Sequence, residues 1–487
     1  MNTRSYAPVI GAFGLITMIF GLMMGFPLAV SFFLNDGATT AYDESILITF
    51  GVGLVLWYTA RNARHDLRTR DGFLLVSATW LILPVFAMLP LILYIPELSF
   101  TDGYFEAASG LTTTGATVLS GLDQLPLSIN LWRCFLHWIG GMGVIVLVVA
   151  ILPLLGIGGR QMFSAEAPGP MKESSLTPRI TETAKALWVT YVILTLACGV
   201  ALWLAGMPGW EAVIHAFSVM GLGGFSSWDN SIAHYDSALI EGVIIVFACA
   251  AGLNFATHYR ALHKRSMAPY REDPEVGFFA LVVIGSILML TAFLMTQPDP
   301  MTLPTTLRHV AFQVVSISTT LGLASTDYGS WPIFSQLWLL FLCSFVTCSG
   351  STGGGIKMVR AIILYKQVFR EITLALHPLA VRPVKLGRAV VPNTILHAVL
   401  AFGFIYMVSI IILTLLLGGS GLEMVTAFSA VIACINNTGP GMNAIGPAGN
   451  YAVLTDFQTW VCAIAMIIGR LEVFTLLVVL TPAFWRK

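Results

Sequence analysis

Thr112-Thr113-Thr114-Gly115-Ala116 closes a short apolar segment at about 103–114, and the same kind of ending recurs three times. Met220-Gly221-Leu222-Gly223-Gly224 follows a segment at about 210–221, Thr319-Thr320-Leu321-Gly322-Leu323 one at 305–319, and Asn436-Asn437-Thr438-Gly439-Pro440 one at 422–436. With Gly115, Gly223, Gly322 and Gly439 as the register, the spacings are 108, 99 and 117 residues. Each interval holds two membrane-crossing helices, a short segment and connections, because about 20 apolar residues cross the hydrocarbon. Segments of roughly 10–14 residues are too short to cross and are re-entrant candidates. Irregular backbone at that depth must be buried in protein or line a watery path. The pattern therefore reads as four unequal helix–loop–helix repeats.

Working outward, 56% of the 487 residues are hydrophobic and 10% charged, with mean hydropathy +0.82. A soluble domain carries about 25% charged residues, so most of this surface faces lipid. Ten apolar runs are long enough to be spans: 9–34, 46–60, 73–95, 131–155, 186–206, 238–257, 277–296, 332–370, 394–418 and 457–484. The first exceeds the h-region of a signal peptide and reads as a retained helix. With both termini inside, 22 of the 25 Lys and Arg fall on the cytoplasmic side, Lys357 and Arg360 among them. Arg133, Arg308 and Arg470 are the exceptions, and the opposite side collects acids such as Asp36, Asp102, Asp229 and Asp327. That segregation obeys the positive-inside rule and brings all four short segments in from outside. The expected fold class is an all-α integral membrane protein of ten transmembrane helices with four re-entrant pore loops. Its divisions are an N-terminal helix pair at 1–71 and pore repeats at 72–180, 181–275, 276–390 and 391–487.

Three of the short segments carry helix-start signals: Asp102 as a cap, Pro304 in a first turn, and Ser420 with Glu423 at capping-box spacing. A half-helix entering from outside points its negative C-terminal end at the membrane centre, which favours a cation there. Backbone carbonyls of the glycine runs can then replace an ion's water shell, with threonine hydroxyls as additional ligands. Oxygen ligands without a ring of carboxylates suit a monovalent cation better than Ca²⁺ or Mg²⁺. No HExxH, GxSxG or P-loop is present, so the sequence points away from an enzyme. Seven scattered cysteines without a CxxC pair suggest neither a zinc site nor a disulfide framework. His215 and His309 lie on pore segments away from the glycine runs, and Asn254 is a candidate for the lower cavity.

The four runs, together with Ser349-Gly350-Ser351-Thr352-Gly353-Gly354-Gly355 and Gly469-Arg470-Leu471-Glu472-Val473, resemble the Trk/Ktr/HKT superfamily of potassium transporters over essentially the whole chain. The resemblance implies a pseudo-fourfold pore in the bacterial inner membrane. It also implies a homodimer and a cytosolic nucleotide-binding regulatory partner of the TrkA type, with K⁺ as the transported ligand. No bound cofactor and no nucleic-acid partner are expected. The implied selectivity filter is Thr113, Thr114 and Gly115; Gly221, Leu222 and Gly223; Thr320, Leu321 and Gly322; and Asn437, Thr438 and Gly439. Serine replaces the first of these glycines in the family's plant sodium carriers, so Gly115 resembles the potassium-permeable kind. None of the runs is TVGYG, and discrimination between K⁺ and Na⁺ is expected to be weaker than in tetrameric potassium channels.

A separate gate is expected below the filter. The eighth span is interrupted from about Thr347 to Gly355, which reads as an intramembrane loop carrying Gly350, Gly353, Gly354 and Gly355, or as a softened kink. Arg470 lies about 17 residues from the C-terminus, too deep to snorkel. It is expected either to project into the inner pore and, with the 347–355 loop, restrict ion flow until the partner acts, or to tie loop carbonyls together without gating. On this reading only the third repeat has a broken inner helix. The competing function is a symporter that couples K⁺ to H⁺ or Na⁺ movement, which usually needs an intramembrane carboxylate.

Overall fold

The computed structural model describes residues 6–61, 69–143, 180–387 and 389–486. Arg4, Arg64, Arg68, Arg160, Lys172, Arg179, Arg388 and Lys487, used above for orientation, lie outside the described residues, as does the 144–155 end of the fourth expected span. The regular secondary structure of the described residues is helical apart from a small antiparallel ribbon, β1 (Lys385–Leu386) with β2 (Ala389–Val390).

The N-terminal part comprises α1 (Ala7–Met23), α2 (Gly25–Leu34) and α3 (Thr39–Ala60). α1 lies along α3 because Gly14 and Gly53 bring the two backbones together: a Cβ on Gly14 would sit 2.7 Å from the Gly53 carbonyl oxygen. Small residues at such crossings give the close packing on which helix association in lipid depends. The first repeat follows with α4 (Thr69–Ala87), α5 (Leu89–Tyr94), the short α6 (Phe100–Leu111) and α7 (Leu127–Gly141). The second has α8 (Ile180–Leu204), the short α9 (Gly209–Gly221), α10 (Ala238–Gly252) and α11 (Phe255–Lys264). After a small helix, α12 (Ala268–Glu272), the third repeat has α13 (Pro274–Met295), the short α14 (Leu303–Ser318), α15 (Ile333–Leu342) and α16 (Met358–Leu376). The fourth has α17 (Asn393–Gly419), the short α18 (Met424–Ile435), α19 (Asp456–Arg470) and α20 (Phe474–Leu480).

Among the described residues five helices are long and apolar enough to cross a membrane, or six if α10 and α11 are one bent span. α8 explains the excess of apolar surface. Val189, Ile193, Leu196, Val200 and Trp203 form an exposed stripe at helical spacing, while Tyr191, Cys198 and Leu202 are fully buried. A helix that hides its small and polar face and shows its large apolar one is built for lipid.

The structure revises the expected helix starts. Ser99, not Asp102, caps α6: its Oγ accepts from the Asp102 amide, and Asp102 sits in the first turn. Pro304 lies in the first turn of α14 as expected. Ser420 and Glu423 form no capping box. Glu423 itself is the N-cap position of α18, while the Ser420 hydroxyl donates to the Leu417 carbonyl and accepts from Gln458. The broken inner helix is not confined to the third repeat either. α10 and α11 meet at 98°, where Asn254 leaves the helix and caps the next one through the Ala256 amide. α19 and α20 are separated at Leu471–Val473, where Glu472 and Val473 both take a φ of 55°. A β-branched residue in that left-handed region is an outlier that surrounding packing must hold.

Candidate ion pathway

The four short helices α6, α9, α14 and α18 all end in one backbone pattern. The amides of Thr113, Leu222, Thr320 and Asn437 donate to the carbonyls of Gly110, Val219, Ile317 and Cys434. The next amides, of Thr114, Gly223, Leu321 and Thr438, donate to Ser109, Ser218, Ser316 and Ala433. Thr113, Leu222, Thr320 and Asn437 are all left-handed, with φ of 57°, 52°, 63° and 54°. Two residues later Gly115, Gly224, Gly322 and Gly439 have φ of 82°, 91°, 79° and 92°. Only glycine takes such angles freely.

These equivalences correct the register of the second repeat by one residue. Gly224 takes the place expected of Gly223, and Leu222, Gly223 and Gly224 replace Gly221, Leu222 and Gly223. Gly221 is the last residue of α9, packed against the His137 carbonyl, and a Cβ on Gly223 would collide with the His137 ring. The other three runs, with Thr113, Thr114 and Gly115, Thr320, Leu321 and Gly322, and Asn437, Thr438 and Gly439, keep their expected register.

The four loops close on one another. A Cβ on Gly115 would overlap the Gly223 carbonyl oxygen, and one on Gly224 would lie 2.5 Å from that of Leu321. A Cβ on Gly322 would overlap the Thr438 oxygen, and one on Gly439 would lie 2.6 Å from that of Thr114. Each glycine thus abuts the equivalent carbonyl of the next repeat, and the fourth returns to the first. Such a cycle requires the four loops to surround one axis, with four short-helix C-termini converging on it. Each terminus contributes about half a negative charge.

Cavities lie on both sides of the ring. One is lined by all four ring glycines together with Asp229, Ala324, Asn450 and Tyr451. The other is lined by Gly350, Gly353, Gly354, Gly355, Lys357, Asn437, Arg470 and Glu472. The expected gate residues therefore share the second cavity, immediately under the ring.

The 347–355 segment is a pinned loop rather than a softened kink. Gly350 accepts from the Phe255 amide at 3.0 Å, across the bend between α10 and α11. Thr352 Oγ1 donates to the Met220 carbonyl at 3.0 Å, and the Gly354 amide donates to Thr320 Oγ1 at 3.0 Å. A Cβ on Gly354 would overlap the Asn436 carbonyl and one on Gly353 would lie 2.9 Å from that of Thr319, so the loop fits against the ends of α14 and α18 only because these two positions carry no side chain. Ser349 within the loop and Val359 just after it both donate their amides to Glu275 Oε2, at 2.8 and 3.2 Å.

Arg470 reaches the same loop. Its guanidinium donates to Thr113 Oγ1 at 3.3 Å, to the Thr352 carbonyl at 3.0 Å and to the carbonyls of Gly140 and Gly141 at the end of α7. Arg470 thus lines this second cavity and ties a loop carbonyl to the end of α7 in the first repeat.

Several residues here were not legible as part of the site. Lys357 and Arg360, counted above as cytoplasmic charges, are 5% and 6% exposed. Lys357 folds back so that Nζ donates to the Gly353 carbonyl and to Ser351 Oγ. Arg360 pairs with Glu472 at 2.5 Å and lies over the Phe402 ring. A charge inside the 332–370 apolar run was the available signal for both. Asn254 does not face the inner cavity as a lining residue; it caps α11 beside Gly350. His215 is buried between the Glu211 carbonyl and Ser226 Oγ.

Comparison with known proteins agrees with this architecture. A family profile described as TrkH, cation transport protein, matches residues 38–487. The Trk system potassium uptake protein TrkH of Salmonella typhimurium is 42% identical, covering 100% of both chains. The Trk system potassium uptake protein TrkI of Halomonas elongata is 33% identical, with 99% of this chain and 98% of that one covered. The crystal structure of the potassium transporter TrkH from Vibrio parahaemolyticus superposes with a TM-score of 0.89 at 40% identity, covering 100% of each chain.

Proposed function

The chain belongs to the TrkH family of cation transport proteins, and from that premise we propose that it takes up K⁺ across the bacterial inner membrane through a gated, channel-like pore. The closed ring of four loops, each glycine seated on the next repeat's carbonyl, is the observation that carries the reading. Dehydrated K⁺ is held there by backbone oxygens of Thr113–Gly115, Leu222–Gly224, Thr320–Gly322 and Asn437–Gly439, and the converging helix ends stabilise its charge. Ten spans and four re-entrant loops in four repeats, with both termini cytoplasmic, are the topology that goes with this pathway.

In this reading the described conformation is closed. The 350–355 loop lies under the ring, and Arg470 places a fixed positive charge on the path. Opening removes both, driven by a cytosolic nucleotide-binding partner of the TrkA type acting on a homodimer. A symporter remains the competing reading. It is disfavoured by the engagement of the buried acids, Glu106 with Arg133, Glu241 with Arg308 and Glu275 with two amides, and of the partly buried Glu472 with Arg360.

Reversal potentials of the protein with its partner in planar bilayers or giant proteoliposomes test the mechanism. A pore gives a potential that follows the K⁺ gradient alone. A shift of that potential with pH or with Na⁺ at fixed K⁺ would replace the pore with coupled transport.

A further inference from the structure

The equivalence of the four loops also aligns the short helices behind them. The residue eight positions before the aligned amides of Thr114, Gly223, Leu321 and Thr438 is Glu106, His215, Gln313 and Ala430 respectively. The first three side chains are fully buried, and each reaches the strand of chain that leaves the ring. Glu106 accepts from Thr117 Oγ1 at 3.0 Å and from the Val118 amide at 3.1 Å. His215 Nδ1 donates to the Glu211 carbonyl, which leaves Nε2 to accept from Ser226 Oγ at 3.0 Å. Gln313 Nε2 donates to the Thr326 carbonyl at 3.3 Å.

Arg133 joins the first two of these arrangements. It pairs with Glu106 at 2.8 Å, donates to the Ser226 carbonyl at 3.2 Å and lies 4.2 Å from the Phe225 ring centroid. In the fourth repeat, where the register falls on Ala430, the returning chain is held from elsewhere. Tyr451 Oη donates to the Gly439 carbonyl at 2.8 Å, and Ser429 Oγ accepts from the Met442 amide at 3.0 Å.

We propose that Glu106, His215 and Gln313 are positioning residues that brace the ring from behind at one shared register, with Arg133 linking two of the braces, and that together they set its discrimination between K⁺ and Na⁺. The inference rests on the potassium-pore reading. Its physical basis is that a ring of carbonyls held against contracting rejects the smaller ion, and here the layer behind the ring supplies that resistance. Buried polar groups bonded to the chain that leaves the ring supply it, since loosening one leaves its partners unpaired in a dry site. The bracing is graded around the ring: an ion pair in the first repeat, a histidine in the second, one amide bond in the third, and none from this register in the fourth.

The test is the ratio of ⁸⁶Rb⁺ to ²²Na⁺ flux, per molecule, for the full chain with its regulatory partner in proteoliposomes. Glu106→Gln keeps one acceptor and turns the other into a donor, facing either the Val118 amide or Arg133, and the ratio should fall about fivefold, the equivalent of one lost buried hydrogen bond. Gln313→Leu keeps the volume and removes a single bond, so it serves if the Glu106 variant does not reach the membrane. Its ratio should fall by roughly twofold to threefold, below the effect of Glu106→Gln. A purely structural role would lower the amount of protein and leave the ratio untouched, and that outcome overturns the brace. Wild type that transports Rb⁺ selectively beside variants with an unchanged ratio would refute this proposal alone. Wild type with no Rb⁺ flux would refute the pore reading as well.

Discussion

Replacing Arg470 with alanine should open a constitutive leak. The guanidinium makes hydrogen bonds to Thr113 Oγ1, the Thr352 carbonyl and two carbonyls at the end of α7, so its loss frees the loop from the first repeat. It also removes a positive charge from beneath the ring. Two unit charges about 5 Å apart at an effective dielectric constant of about 20 repel by roughly 3 kcal/mol, or about a hundredfold in rate. Release of the loop adds to this, since hydrogen bonds from a charged donor are each worth about 1.5–3 kcal/mol. Rb⁺ flux into K⁺-loaded proteoliposomes, measured without the regulatory partner and normalised to protein inserted, should therefore rise by at least about a hundredfold in Arg470→Ala. Arg470→Lys keeps the charge but loses the forked geometry, and its flux should lie between the two. Unchanged flux in a well-inserted Arg470→Ala would mean that neither the charge nor the tether blocks the path.

Two further outcomes follow from the neighbours of Arg470. Glu472 and Val473 hold left-handed φ just after it, and Arg360 at the start of α16 pins Glu472. Partner-independent flux should rise in Arg360→Glu and in Glu472→Arg and fall back in the charge-exchanged double variant; a double variant as leaky as the singles would refute the ion pair as the restraint. Lys357→Met removes the bonds from Nζ to Gly353 and Ser351 while keeping an apolar stem of similar length. Its partner-independent flux should rise by at least roughly tenfold, since each of the two charged hydrogen bonds lost is worth about 1.5–3 kcal/mol, and flux equal to wild type would show that the loop holds its place without the lysine.

The parts of the fold that depend on period and composition could be read from the sequence. Four short segments with glycine endings, the span pattern, the interrupted eighth span and the depth of Arg470 are all local signals. The second repeat was misplaced by one residue because Gly221-Leu222-Gly223-Gly224 offers three glycines and no threonine to mark the register. There the left-handed position falls on Leu222, which no propensity favours. The breaks at Asn254 and Glu472 were invisible for a related reason. The hydrophobic runs pass through both points; in one case a side-chain cap starts the next helix, and in the other Glu472 is paired with Arg360 from another helix. Lys357 and Arg360 were assigned to the cytoplasm because the positive-inside rule counts charges without asking whether a loop folds them inward. Glu106–Arg133 and Glu241–Arg308 join residues on different helices, 27 and 67 positions apart, and nothing local announces such pairs.

The central claim, that the four-glycine ring is the K⁺ filter, is tested most directly by K⁺ uptake in a bacterium lacking its own uptake systems. Wild type and Gly115→Ser are compared there with the partner supplied and membrane abundance matched. Gly115 has φ of 82° and its Cα faces the Gly223 carbonyl without room for a Cβ. Serine there strains the backbone and displaces that carbonyl. The account predicts growth of wild type at limiting K⁺, with uptake in Gly115→Ser sharply reduced and its preference shifted toward Na⁺. Undiminished, K⁺-selective uptake in Gly115→Ser would contradict it.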